Sequence, residues 1–185
     1  HSDLRRQRQM CIRDRAILAK TILMPLIKSI SGIRGTIGNR VGEDLTNEDV
    51  ILFTISYIKW LKSVYFSSNH SVVVGRDART SGPMIESLVI QTLTSMGVNV
   101  ISLGLSTTPT VEIAVTEENA DGGIIITASH NPKNWNALKL LNHKGEFISQ
   151  SDGNNILAIA ETKPTIEKNI QKGNVKKVDN YISKH

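Results

Sequence analysis

The chain has 185 residues, 39% of them hydrophobic and 21% charged, with one cysteine, Cys11; that composition fits a globular domain with some tail and leaves no room for a disulfide, a cysteine metal cluster or a membrane-spanning apolar run. The net charge of +5 resides at the two ends: residues 1–22 hold six Arg/Lys against two Asp and residues 163–185 hold six Lys against one Glu and one Asp, leaving 10 basic and 13 acidic residues in 23–162. A mildly acidic body with 4% aromatics argues against a nucleic-acid reader, which needs a basic surface studded with aromatic rings.

Residues 1–22 are Arg- and Gln-rich without an apolar period and are expected to be a disordered or foreign extension; Asp3, Asp14 and the lack of a Ser-rich stretch argue against a targeting presequence. A short strand is expected at 26–30, followed by the Gly-punctuated segment Ser31-Gly32-Ile33-Arg34-Gly35-Thr36-Ile37-Gly38. Thr46-Asn47-Glu48-Asp49 reads as a helix start, and Ile51, Ile55, Ile58, Leu61 and Tyr65 follow at helical spacing. Val72-Val73-Val74 reads as a strand buried on both faces, ending in a loop over 75–82. Pro83 opens the next helix and Gly97 closes it. Further on come a strand at 98–103, a short helix from Thr107 to about 118, strands at 123–127 and 138–141, a turn at 142–145 and an amphipathic helix at 153–162. Strands alternating with helices predict one three-layer α/β/α domain over 23–162, with 163–185 as a Lys-rich linker.

In open α/β sheets ligands sit beyond the carboxyl ends of the strands. There, Thr127-Ala128-Ser129-His130-Asn131-Pro132 sets a hydroxyl beside an imidazole after a buried strand. Serine needs a base, a cation or a metal to act as a nucleophile, and His130, Lys139, Arg34 and Arg76 are the candidates. So many cations favour phosphate chemistry over acyl transfer, and a hydrolase elbow would need glycines where Thr127 and Asn131 stand. Spacing alone leaves open a plain Asx- or Ser-supported turn. Arg76 and Arg79 flank Asp77 and read equally as a local ion-paired turn or as phosphate contacts. Gly32, Gly35 and Gly38 suggest an anion nest only weakly; His143 reads as solvated, and Trp60 and Trp135 as packing.

The hexapeptide from Thr127 to Pro132 resembles the phosphoserine loop of the α-D-phosphohexomutase family. Ser31-Gly32-Ile33-Arg34-Gly35 is similar to that family's first active-site segment, Gly75-Arg76-Asp77-Ala78-Arg79 to its arginine loop, and Asn136 with Lys139 to its Asn-Gly-x-Lys element. The resemblance covers about 24–162 in family order. It implies a mixed, mostly parallel sheet and a phosphorylated Ser129 that exchanges its phosphoryl group with a hexose phosphate through a hexose bisphosphate. By the same resemblance Lys139 and Arg34 neutralise the transferring phosphate, and His130 carries a proton or meets the sugar. Asn131 orients the loop, Arg76 and Asn136 bind substrate or phosphate, and Mg²⁺ bridges the phosphate on Ser129.

Ala137 stands where the family usually has glycine, as in a bacterial branch called phosphoglucosamine mutases, which leans the substrate towards glucosamine phosphate. The family's metal, sugar and distal phosphate loops lie in further domains, so the chain is expected to be the first part of a longer cytoplasmic enzyme, inactive by itself, with residues 178–182 approaching the second domain. The alternatives are a non-catalytic phosphosugar-binding module of the same fold and an unrelated serine hydrolase.

Overall fold

The computed structural model describes residues 26–29, 32–167 and 170–184; the 1–22 extension and Ser31 lie outside them. Eight strands form one sheet: β1 (Ile27–Ser29), β2 (Gly32–Ile37), β3 (Asp44–Leu45), β4 (Ser71–Arg76), β5 (Asn99–Leu105), β6 (Gly122–Ile126), β7 (Trp135–Leu141) and β8 (Val175–Lys177). Their order is β1-β2-β7-β6-β4-β5-β8, with β3 beside β2. β6, β4, β5 and β8 run parallel, as do β2 and β3, whereas β1, β2, β7 and β6 alternate in direction. The sheet is therefore mixed, as expected. Among the described residues four helices accompany it, α1 (Asn47–Val64), α2 (Gly82–Ser95), α3 (Thr108–Glu117) and α4 (Gln150–Glu161), with a 3-10 turn at Tyr181–Lys184.

The period of two along a strand sorts its side chains into two cores. Val72, Val74, Ile124, Ile126, Ile33, Leu138 and Leu140 pack with Phe53, Tyr57 and Leu61 of α1, Ile85 and Val89 of α2 and Ile156 of α4. Val73, Ile125, Ile101 and Leu103 point the other way, towards Val111, Ala114 and Val115 of α3 and Tyr181. Helices on both faces make the three layers. The described residues cover only half of the second face, because its apolar residues come from β4, β5, β6 and the last residue of β7, with none from β2.

Local chemistry explains where the sequence reading holds and where it shifts. Thr46 caps α1 in a full capping box with Asp49, as anticipated. α4 begins three residues before its expected start because Ser149 and Asp152 form a second capping box, which extends the helix past Gly153. The Gly-punctuated segment is largely a strand, β2. Its glycines answer to close neighbours: a Cβ on Gly35 would stand 3.0 Å from the Leu45 backbone nitrogen, and one on Gly38 would collide with the Asp44 carboxylate. The Lys-rich segment read as a linker contributes β8, paired in parallel with β5, and buries Tyr181. His143 is not merely solvated: its Nδ1 lies 2.7 Å from the Tyr65 hydroxyl, and the two rings meet with centres 4.6 Å apart and planes tilted by 59°.

Two polar contacts tie strands to neighbouring elements, the first of them fully buried. Tyr57 donates to the Leu141 carbonyl at 2.8 Å, and burial pushes its hydroxyl's ionisation far up; the same hydroxyl occupies the space a side chain on Gly122 would need. Gly122→Ala is expected to cost about 1–3 kcal/mol through overpacking, read from the urea midpoint. Asp44 accepts from Arg40 at 3.0 Å and from the Thr36 hydroxyl at 2.5 Å. These hydrogen bonds, Arg40's first, hold its carboxyl well below the usual range. A carboxyl depressed on folding stabilises the fold above its unfolded pKa of about 3.9 and loses that contribution as pH falls towards its folded value. In urea melts from neutral pH down through about 4 and below, Asp44→Asn is expected to be less stable than the parent at neutral pH and to converge with it on acidification.

Candidate active site

Strand parity places the cationic residues. Arg34 of β2 lies opposite Ala137 of β7, and Lys139 is two residues on, opposite Ile125 of β6. All therefore emerge on the sheet face that carries Ile125, over the part that α3 leaves open. Above this floor runs the loop from β6 to β7. Together they form a cleft of about 340 Å³ lined by Arg34, Ser129, His130, Asn131, Lys139 and Phe147 among others, with no carboxylate among the described residues that line it. The Nε of Arg34 is buried without a hydrogen-bond partner among the described residues, a donor that an anion in the cleft can satisfy. Lys139 Nζ sits 5.6 Å from the centre of the Phe147 ring, so one wall of the cleft is an aromatic face held against a cation.

Ser129 is exposed at the mouth, with its Oγ 3.5 Å from His130 Nδ1, a long contact that leaves the hydroxyl free to turn towards a ligand. Its φ is +54°, a left-handed conformation that costs a serine on the order of 1–3 kcal/mol. Hydrogen bonds on both sides of the residue maintain it. The Ser129 amide donates to Thr127 Oγ1 at 3.1 Å, and that hydroxyl donates to Asp77 Oδ2 at 2.7 Å. The Ser129 carbonyl accepts from Arg79 Nη2 at 2.8 Å.

Arg79 is the residue whose part the sequence did not disclose. Its Nε pairs with Asp77 at 3.1 Å, its Nη1 donates to the carbonyls of Pro132 at 2.7 Å and Trp135 at 2.9 Å, and its Nη2 also reaches the Asn131 carbonyl at 2.8 Å. A guanidinium has five N–H groups, and all five have a partner here. Arg79 therefore has no donor left for a substrate phosphate. The local ion pair with Asp77 is real but is one part of a wider clasp, and the only sequence signal for it was a second arginine two residues after Asp77.

Two residues expected to bind substrate or phosphate lie on the other side of the sheet. Arg76 shares its parity with Val72 and Val74 and so faces α2, where its Nε pairs with Glu86 at 2.7 Å and its Nη1 donates to the Asp77 carbonyl. Asn136 shares its parity with Leu138 and is fully buried; its amide donates to Ser81 Oγ at 2.9 Å and its carbonyl accepts from the Ala137 amide. Both are structural ties between the sheet and the start of α2. Ala137 has no positive φ and sits in regular β7, so the methyl group that departs from the family's glycine is accommodated. The indole of Trp135 is buried packing and its carbonyl serves Arg79.

A divalent cation finds no ready set of ligands in these residues. Among the described residues no group of three His, Cys, Asp or Glu side chains converges, and the cleft is lined by cations. The donor set does not fit a magnesium ion held by this chain alone.

Comparison with known proteins fits this architecture. Residues 26–167 match the family described as phosphoglucomutase/phosphomannomutase, alpha/beta/alpha domain I. A phosphoglucosamine mutase of a Nitratiruptor species is 33% identical over 161 residues, covering 83% of this chain and 34% of the relative. A phosphoglucomutase/phosphomannomutase of Thermococcus kodakarensis is 41% identical over 113 residues, covering 60% of this chain and 25% of the relative. The solved structure of a Thermus thermophilus protein provisionally named a phosphomannomutase superposes with a TM-score of 0.69 at 27% identity, covering 84% of this chain and 33% of that one. The chain spans about a third of the length of the curated relatives it matches. With a cationic cleft under a serine loop, on a fold matched from residue 26 to residue 167, the chain belongs to the phosphoglucomutase/phosphomannomutase family and carries its domain I.

Proposed function

We propose that Ser129 is the phosphoryl carrier of a hexose phosphate mutase acting in the cytoplasm. The observation that supports this best is the exposed serine hydroxyl set over two strand-borne cations, Arg34 and Lys139, in a cleft that no carboxylate of the described residues lines. Phosphoryl transfer asks a protein mainly for positioning and charge neutralisation, and rigid strands hold both cations.

In the transfer, a hydroxyl oxygen of the hexose monophosphate attacks the phosphorus on Ser129. The bond from phosphorus to Oγ breaks and its electron pair stays on Oγ. The proton from the sugar hydroxyl reaches Oγ by way of His130, leaving a free serine and a hexose bisphosphate. Return of the other phosphoryl group reverses these changes and yields the isomeric monophosphate. Arg34 and Lys139 take up charge on the phosphoryl oxygens, and Asn131 helps to hold the loop through its backbone. A magnesium ion would count the phosphate on Ser129 as its ligand from this chain, with its other ligands supplied from elsewhere in a longer enzyme. By similarity to the relatives named phosphoglucosamine mutase, glucosamine phosphate is the first substrate to test, with glucose and mannose phosphates beside it.

Incubation with a hexose bisphosphate and Mg²⁺, followed by intact and peptide mass spectrometry, is expected to show one added phosphoryl group on Ser129 and none in Ser129→Ala. Arg34→Ala and Lys139→Ala are each expected to slow that uptake about 10²–10³-fold, as loss of a charge-stabilising donor does. Phosphosugar binding without phosphate ever reaching Ser129, even when the rest of a mutase is supplied, would make this a binding module. The 185-residue chain alone is expected to show no mutase turnover, and turnover by it would contradict the need for further domains.

A further inference from the structure

We propose that Arg79 is the positioning residue of the nucleophile: it fixes the backbone of Ser129 in its left-handed conformation and aims the hydroxyl at the cleft without touching substrate. This rests on Ser129 being the phosphoryl carrier. Both backbone polar groups of Ser129 are tied to the same ion pair. The amide is tied through the Thr127 hydroxyl to Asp77, and the carbonyl directly to Arg79, which pairs with Asp77. With both groups held, neither φ nor ψ of Ser129 can relax without breaking one of these hydrogen bonds. Three more carbonyls, of Asn131, Pro132 and Trp135, point at the same guanidinium, so the loop is wrapped around it. The side chain is 11% exposed and has every N–H engaged, which removes it from substrate contact.

Lysine cannot take this place. Its ammonium has three donors on one point and lacks the planar fork that separates acceptors by direction. Arg79→Lys therefore keeps the charge opposite Asp77 while releasing most of the loop, which separates positioning from mere charge balance.

The experiment compares the wild-type chain with Arg79→Ala and Arg79→Lys by amide hydrogen exchange and by the rate of Ser129 phosphorylation from a hexose bisphosphate, with and without guanidinium below denaturing concentration. Exchange is expected to rise about tenfold or more at 128–136 while α1 and β4 stay protected, as for a local rather than a global opening. The phosphorylation rate at saturating bisphosphate is expected to fall about 10²-fold with the half-saturating concentration unchanged, the pattern of a misplaced nucleophile beside an intact binding site. Guanidinium is expected to restore both properties in Arg79→Ala. If Arg79→Ala does not fold, Arg79→Lys carries the same readings. Unchanged exchange at 128–136, or a rise shared by the whole domain that guanidinium does not reverse, overturns the proposal. A wild-type chain that takes up no phosphate even when the rest of a mutase is supplied refutes the nucleophile assignment instead, and the loop exchange still decides whether Arg79 fixes Ser129.

Discussion

The Asp77–Arg79 ion pair is the contact on which the rest of the cleft depends. A buried guanidinium is costly unless its donors are met, and here a carboxylate and four backbone carbonyls meet them. Hydrogen bonds to a charged group contribute about 1.5–3 kcal/mol each, enough together to offset the strain of one left-handed serine. The clasp also joins two parts of the chain some fifty residues apart: the loop after β4 and the loop after β6 become one body. Because β4 and β6 are neighbours in parallel, both loops leave the sheet at the same end, and the contact needs no long reach.

The other constraint is the unequal covering of the sheet. Three helices close one face, and the opposite face receives α3 and the turn around Tyr181 only over its parallel half. Over the antiparallel half, β2 and β7, that face opens into the cleft. Period-two alternation then puts Arg34, Ala137 and Lys139 on the open side and sends Ile33 and Leu138 into the core. A cationic patch on strands is more rigid than one on loops, which suits a site whose task is to hold charge still.

Much of this was legible in the residues. Thr46 with Asp49, Pro83 and Gly97 marked their helix ends because capping is local chemistry, and the Thr127–Pro132 segment advertised a hydroxyl and an imidazole after a buried strand. What failed was parity. With β7 expected to begin at 138 rather than 135, Asn136 appeared to belong to a loop, whereas as a strand residue it alternates into the core with Leu138. The same ambiguity put Arg76 among the expected phosphate-binding residues and gave Arg79 no part of its own. Arg76 is the last residue of β4 and follows its alternation towards Glu86, while Arg79 is past the strand and free to turn back over the β6–β7 loop. Which of two arginines beside an aspartate becomes the clasp is a long-range fact, since the carbonyls that select it lie fifty or more positions away.

β8 gives the domain an edge whose importance exceeds its three residues. It lies beyond the stretch matched as domain I, yet it hydrogen-bonds along Val100–Ser102 of β5 and presents Lys176 and Lys177 outward. Lysines on a short outer strand discourage a second sheet from adding on. A protein trimmed at residue 167 would keep every element of the cleft but bare the flank of β5, with the backbone donors and acceptors of an apolar strand open to water. Such a shortened chain would trade a blunt, charged border for one able to zip against its own copies, and its solubility, rather than its chemistry, would register the loss.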